Sequence, residues 1–105
     1  MEQSVKTKDN VTDTLRQNRE RLQALGVRRI GLFGSFVRDE QGPDSDIDLL
    51  VEFAPRKKTF DNFMALSFLL EDLFGRKVEL LTVESLSPYI GPHILKEVQY
   101  VTLAA

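Results

Sequence analysis

Two aspartates separated by one position, Asp46 and Asp48, carry the clearest chemical potential in this sequence. They begin a predicted strand, in which alternate side chains leave the same face, so both carboxylates project the same way with Cβ atoms roughly 6 to 7 Å apart. Like charges this close raise each other's pKa unless a cation lies between them, and Mg²⁺ favours such oxygen ligands. The simpler alternative is that one or both aspartates cap a turn or pair with Arg38 or Arg29 on the surface.

Two further features could complete a site around this pair. Gly34-Ser35 lies where a predicted strand meets a loop, and a glycine there allows close backbone approach while amide groups and the hydroxyl hold phosphate oxygens. Glu79 stands on a later predicted strand, where it could act as a third metal ligand or as a base for an attacking hydroxyl. Each feature alone is weak, because Gly-Ser is common in turns and Glu79 could be an exposed residue paired with Lys77.

Hydrophobic periodicity predicts the elements that position these residues. Residues 1–9 are polar and are expected to be flexible, so the folded domain is expected to span 10–105. An amphipathic helix is predicted from an N-cap at Asn10 to a stop at Gly26. The elements predicted after it are a strand at 27–33, a loop at 36–45, a strand at 46–53, a helix at 60–74 capped by Thr59 or Asp61 and stopped by Gly75, a strand at 77–82, a helix around 89–98, and a short strand or helix end at 100–103. The order α-β-β-α-β-α predicts an α+β domain.

Composition narrows the possible functions. The chain has 105 residues, no cysteine, and 14 Lys plus Arg against 16 Asp plus Glu, which gives a net charge of −2. This length leaves no room for a separate substrate domain, and the charge balance gives no broad positive field for holding nucleic acid by its phosphates. No thiolate chemistry is possible, and no secretion signal or membrane-length apolar run is visible. We therefore expect a cytoplasmic protein that binds neither nucleic acid nor membranes.

The Gly-Ser pair, the Asp-x-Asp motif and Glu79 together form a more specific pattern than any one of them alone. The Gly-Ser pair, the ten residues after it, and the Asp-x-Asp motif followed by Leu49-Leu50-Val51 resemble the signature of minimal nucleotidyltransferases of the DNA polymerase β-like superfamily. Lys77-Val78-Glu79-Leu80 resembles the strand that carries the family's third carboxylate, usually Asp. Arg38 lies where the family often has a basic residue, and Ser45 precedes the first Asp as usual. The resemblance covers roughly 11–101 and implies an α+β (α/β sandwich) fold, a small mixed β-sheet with helices packed on one face.

Within that superfamily, the short length and the segment 81–97 resemble the MNT-domain antitoxins that pair with HEPN-domain ribonuclease toxins. The resemblance implies an enzyme that transfers AMP from ATP to a tyrosine of the toxin and thereby silences its ribonuclease. It also implies a hetero-oligomer with that toxin.

The same resemblance implies a role for each candidate residue. The catalytic and metal-binding residues would be Asp46, Asp48 and Glu79, which would hold two Mg²⁺ ions. The nucleotide-binding residues would be Gly34, Ser35, Arg38 and Ser45. The acceptor hydroxyl would attack the α-phosphorus of ATP as pyrophosphate leaves. Because Glu79 is one methylene longer than the usual Asp, activity could be reduced.

Two other functions stay open at the level of the sequence. One is a nucleotidyltransferase that acts on a small molecule such as an aminoglycoside. Against this function, no segment after Glu79 is long enough to build a separate acceptor pocket. The other is an antitoxin that neutralises its partner by binding alone, with a degenerate metal site. The Glu79 departure keeps this second alternative open.

Overall fold

The structure, a computed structural model, describes residues 5–103. Its helices and strands, in chain order, are α1 (Lys8–Gln17), α2 (Arg19–Ala24), β1 (Val27–Phe33), β2 (Ile47–Phe53), α3 (Phe60–Phe74), β3 (Val78–Thr82), α4 (Gly91–Glu97) and β4 (Gln99–Val101). Of the helices in this range, none is long and apolar enough to cross a membrane.

The strands form one mixed sheet in the order β3-β2-β1-β4. β1 pairs antiparallel with both β2 and β4, whereas β2 pairs parallel with β3. A parallel pair cannot be joined by a tight hairpin, so α3 provides the crossover between β2 and β3. The α+β prediction is confirmed, and the crossover brings the start of β2 beside the start of β3.

The central strand β2 alternates as the sequence predicted. Ile47, Leu49, Val51 and Phe53 are buried in the main core. The helices α1, α2 and α3 contribute the other side of that core, so they pack on this face of the sheet. On the opposite face Leu50 belongs to a smaller cluster beneath α4, which leaves the carboxylate end of β2 outside both apolar clusters.

The first helix begins earlier than predicted. The Thr7 hydroxyl accepts a hydrogen bond from the Asn10 N–H at 3.1 Å, and Thr7 has an extended backbone. Thr7 is therefore the N-cap, and the prediction of Asn10 is wrong because Asn10 already lies inside the first turn. Val5 is buried and donates its N–H to the Phe74 carbonyl, so the chain already packs against the fold at this residue. Residues 1–4 lie outside the described residues.

The predicted single helix up to Gly26 is divided into α1 and α2. Asn18 has φ −112° and ψ 20°, outside the helical region, and its side chain donates to the Thr14 carbonyl at 2.8 Å. Asparagine competes with the backbone for hydrogen bonds, which accounts for the break at this residue. The chain then turns at Gly26, whose φ of +89° suits glycine, and enters β1.

The long helix α3 begins and ends as predicted. The Thr59 hydroxyl accepts from the Asn62 N–H at 3.1 Å, so Thr59 rather than Asp61 is the N-cap. Gly75 ends the helix in the left-handed conformation with φ +64°. These two residues set the length of the helix that connects β2 to β3.

The last part of the chain settles an alternative that the sequence left open. α4 is shorter than predicted, because Val98 already has an extended backbone with ψ 136°. The following residues form β4, a strand that pairs with β1 rather than a helix end. β1 accommodates this segment at Gly31, where an added Cβ would lie 2.6 Å from Val98 Cγ2 and 2.9 Å from Tyr100 Cδ1.

We expect Gly31→Ala to lower the free energy of unfolding by about 1 to 3 kcal/mol, because the new methyl group overpacks the contact between β1 and the end of the chain. Urea denaturation followed by circular dichroism measures the change. Gly42→Ala is the matched control, since nothing lies within 4 Å of a Cβ at that position. Equal losses in the two variants would contradict this account of Gly31.

Candidate active site

The predicted carboxylates meet at one end of the sheet, on two neighbouring strands. Asp48 of β2 and Glu79 of β3 are Cα partners in the parallel pair, so their side chains leave the same face. Asp46 is exposed and immediately precedes β2. The structure thus brings Glu79 beside the Asp-x-Asp motif, although the whole of α3 separates them in sequence.

Asp48 is the electrostatic centre of this cluster. Its pKa is raised to about 7, first by burial of the carboxyl, then by its hydrogen bond and charge repulsion with Glu79, and further by the charge of Asp46. Arg38 acts in the opposite direction. Burial and neighbouring negative charge both disfavour the ionised carboxyl, and a bound cation would relieve the charge repulsion.

The surface ion pairs that could have explained the aspartates are absent from the part of the chain that is described. Arg29 pairs with Glu52, with Nε and Oε1 3.3 Å apart. Arg38 pairs with two glutamates outside the cluster. Among the ion pairs between residues 5–103, none neutralises any of the three carboxylates.

The carboxylates fit a magnesium ion shared with a substrate, but not one held by protein alone. Across the described residues, no group of three or more His, Cys, Asp or Glu side chains converges on a common metal position. Mg²⁺, however, is usually bound through one or two carboxylates, with water and substrate phosphates completing its shell. Asp48 and Glu79 supply such a pair, and Asp46 is near enough to add its charge.

The Gly-Ser turn lies directly against Asp48. Phe33, the last residue of β1, is the Cα partner of Asp48, and a single 3₁₀ turn, Gly34–Phe36, follows. Gly34 has φ +81°, and a Cβ there would collide with Asp48 Oδ2. Only glycine lets the backbone approach the carboxylate this closely. A ligand that spans the turn and the carboxylates would therefore contact both groups at once.

The other two predicted nucleotide-binding residues already have partners. Arg38 Nη1 donates to Glu97 Oε1 at 2.6 Å, and Arg38 Nε donates to Glu40 Oε1 at 3.0 Å. The Ser45 hydroxyl accepts from the Gly42 N–H at 2.8 Å and closes the turn that precedes β2. Ser45 thus has a structural role in the loop, with its hydroxyl proton left to donate.

Sequence reasoning missed Arg76, which holds the loop that leads to the aspartates. Its Nη1 donates to the carbonyls of Gly42 at 3.0 Å and Ser45 at 2.9 Å, and its Nε donates to the Val5 carbonyl at 2.7 Å. Because these acceptors are backbone oxygens from distant segments, no motif in the sequence indicates them. Arg76 positions the start of β2 and contacts none of the three carboxylates itself.

Sequence reasoning also missed Glu97, at the end of α4. Its Oε2 accepts a hydrogen bond from the Gly34 N–H at 2.7 Å, in addition to its contact with Arg38. An acidic residue in the last turn of a short helix gives no signal of such a contact, which depends on how α4 packs over the sheet.

We expect the metal-free protein to lose about 1 to 2 kcal/mol of stability as pH rises from about 4 to about 7, after allowance for solvent screening of a half-exposed carboxyl. The folded pKa of Asp48, about 7, lies above the ordinary aspartate pKa of 3.8. Between these values the native state retains a proton that the unfolded chain releases, so stability falls with pH.

Asp48→Asn should remove most of this slope and be at least as stable as the original chain at pH 7. Urea denaturation in EDTA at several pH values measures both effects, with Asp39→Asn, an exposed residue outside the cluster, as control. A large stability loss in Asp48→Asn at pH 7 would instead make Asp48 a structural residue.

Comparison with known proteins identifies the family of the chain. Residues 13–101 match the family described as nucleotidyltransferase domain. The chain is 42% identical over 83 residues to the protein adenylyltransferase MntA of Thermococcus cleftensis, an alignment that covers 79% of this chain and 83% of that protein.

Solved structures share the fold. A minimal nucleotidyltransferase superposes with a TM-score of 0.68 and 34% identity, over 84% of this chain and 93% of that one. An MNT antitoxin solved with a tri-AMPylated HEPN toxin of Shewanella oneidensis has the same fold at 20% identity, with a TM-score of 0.54 over 85% of this chain and 71% of the other. This chain therefore belongs to the nucleotidyltransferase domain family.

Proposed function

We propose that this chain transfers AMP from ATP to a tyrosine of a HEPN-domain ribonuclease toxin and so acts as the antitoxin of that toxin. The contact between the Asp48 and Glu79 carboxyls, against the Gly34 turn, carries the proposal. It brings two carboxyls and a glycine turn side by side, an arrangement that supports binding of a nucleoside triphosphate together with its metal. The relative named protein adenylyltransferase MntA supports a protein as the acceptor.

The turn after β1 and the loop before β2 would hold the phosphates of ATP. The Gly34 N–H and the Ser35 hydroxyl supply hydrogen-bond donors, and Arg38 supplies the positive charge nearest to them. Ser45 accepts a hydrogen bond within its own turn, so its hydroxyl proton is available to a phosphate oxygen. Together these groups would align the triphosphate along the edge of the carboxylate cluster.

Asp46, Asp48 and Glu79 would bind Mg²⁺ together with the phosphates, and the resemblance to the family implies two ions. When bound, the metal supplies charge neutralisation at the phosphates and favours ionisation of the acceptor hydroxyl. Because Asp48 has a pKa of about 7 in the metal-free chain, its remaining proton would leave when the ion binds.

The chain's own residues would then align the reacting groups. Glu79, an exposed residue at the edge strand β3, would orient the tyrosine hydroxyl or accept its proton. The hydroxyl oxygen forms a bond to the α-phosphorus as the bond to pyrophosphate breaks, so no covalent enzyme intermediate is needed. The rate gain comes from alignment and charge stabilisation.

The acceptor would come from a second protein. Near α4, which contacts the Gly34 turn through Glu97, several large apolar side chains face solvent: Tyr89 is 87% exposed, Ile90 55% and Leu95 51%. Exposed apolar side chains of this size are often found on a surface that another protein covers. They support a hetero-oligomer in which the toxin presents its tyrosine to the carboxylate end of the sheet.

A second candidate function is neutralisation by binding alone. Two observations favour it: no three-carboxylate metal position forms within residues 5–103, and Glu79 replaces the usual aspartate. Under this alternative the chain would silence the toxin by covering it, without transferring AMP.

Incubation with labelled ATP, Mg²⁺ and the HEPN-domain product of the neighbouring gene tests the proposal. We expect label on a toxin tyrosine, and we expect Asp48→Asn and Glu79→Gln to lower the transfer rate by about 100-fold or more, because each removes charge stabilisation at the reacting phosphate. Glu79→Asp, which restores the family's usual residue, should keep or increase activity. Asp39→Asn is the matched control outside the site.

The outcome that would contradict enzymatic function is also specific. If the toxin loses its ribonuclease activity without gaining label, and Asp48→Asn neutralises it equally well, the chain acts by binding alone. Label on a small molecule and none on the toxin would instead support the aminoglycoside-type alternative.

A further inference from the structure

The carboxylate of Glu97 lies between two groups that the proposed function assigns to the phosphates of ATP. Glu97 Oε2 accepts from the Gly34 N–H at 2.7 Å, and Glu97 Oε1 accepts from Arg38 Nη1 at 2.6 Å. Both oxygens of one anion are therefore engaged by the backbone donor and the cation of the turn. We call these two donors, the Gly34 N–H and the Arg38 guanidinium, the anion cradle.

The opposite charges of Glu97 and Arg38 stabilise the contact between them. Although partial burial alone would raise it, the pKa of Glu97 is lowered overall by the Gly34 N–H and by Arg38. The pKa of Arg38 is raised in turn by its bonds to Glu40 and Glu97. An ionised carboxylate and a phosphate oxygen are chemically equivalent partners for such donors, because both accept charge-assisted hydrogen bonds from amide and guanidinium groups.

We propose that Glu97 is an internal competitor for the phosphate site, whose carboxylate must leave the anion cradle before the triphosphate of ATP can enter it. This inference rests on the proposed function, because it concerns the same turn. It assigns Glu97 to control of nucleotide affinity, with no part in the chemistry of transfer.

The position of Glu97 permits such a movement. It is the last residue of α4, its side chain is 23% exposed, and the next residue, Val98, is extended. The packing of α4 depends on Ile94 and Gly91, which are buried, rather than on Glu97. Rotation of the side chain toward solvent would thus free the cradle while the helix stays in place.

Charge repulsion makes the exchange obligatory. Arg38 already bonds Glu40 and Glu97, so a triphosphate that binds it while Glu97 stays in contact would add a third anion, beside the three carboxylates of the cluster. The apparent affinity for ATP is therefore reduced by the fraction of molecules in which Glu97 fills the cradle. Occupation of the cradle also keeps the charge of Arg38 paired when nucleotide is absent.

Glu97→Gln tests this inference, because glutamine has nearly the same shape but no charge for Arg38. We expect this variant to bind Mg²⁺–ATP and inorganic tripolyphosphate about tenfold more tightly than the original chain, since one charge-assisted contact no longer opposes the ligand. Isothermal titration calorimetry on the full chain without any acceptor protein measures binding apart from AMP transfer.

Glu40→Gln is the matched control. It removes the other carboxylate bonded to Arg38, which does not contact Gly34, so it should change affinity much less. Glu97→Asp provides a second variant, because the shorter side chain cannot reach both donors at once, and it too should bind tripolyphosphate more tightly.

Unchanged or weaker binding by Glu97→Gln would overturn the inference, because it would mean that Glu97 supports the cradle instead of competing for it. Failure of the proposed function has a different signature. In that case affinity rises in Glu97→Gln, yet neither protein transfers AMP to the toxin. AMP transfer by the original chain without any gain in affinity in the variant would leave the function intact and reject the competition.

Discussion

The parallel pairing of β2 with β3 is the constraint on which the site depends. It sets Asp48 and Glu79 opposite each other, and burial of Asp48, followed by its hydrogen bond and charge repulsion with Glu79, raises the pKa of Asp48 to about 7. The apolar side chains on the other face of β2 keep the strand in register in spite of this repulsion, because a slip by one residue would expose the whole buried face. The core thus holds together a cluster of charges that is unfavourable until a cation binds.

Much of this fold could be predicted because its signals are local. The alternation along β2, the cap at Thr59 and the left-handed stop at Gly75 each depend on a few neighbouring residues. The start of α1 is harder to predict from the sequence, because Thr7 and Asn10 are both good capping residues. Only packing of the preceding chain decides between them. β4 is hard to predict for a similar reason, since its three residues form a strand only through pairing with β1.

The candidate site likewise contains residues that could be predicted from the sequence and residues that could not. The positions of Asp46, Asp48 and Glu79 follow from strand periodicity together with the motif, so the sequence was enough to predict that they would be close. Arg76 and Glu97 could not be predicted, because their partners are backbone groups brought near by the tertiary fold. Residues that support a site through main-chain contacts leave no pattern in the sequence, even when they set its geometry.

The crossover through α3 also affects how the chain folds. The two strands that carry the carboxylates are far apart in sequence, and contacts of this kind form only after the entropy of closing the intervening loop has been overcome. Asp48 and Glu79 therefore come close enough to repel each other only when β3 pairs with β2. The electrostatic cost of the cluster thus belongs to the completed sheet and not to its separate strands.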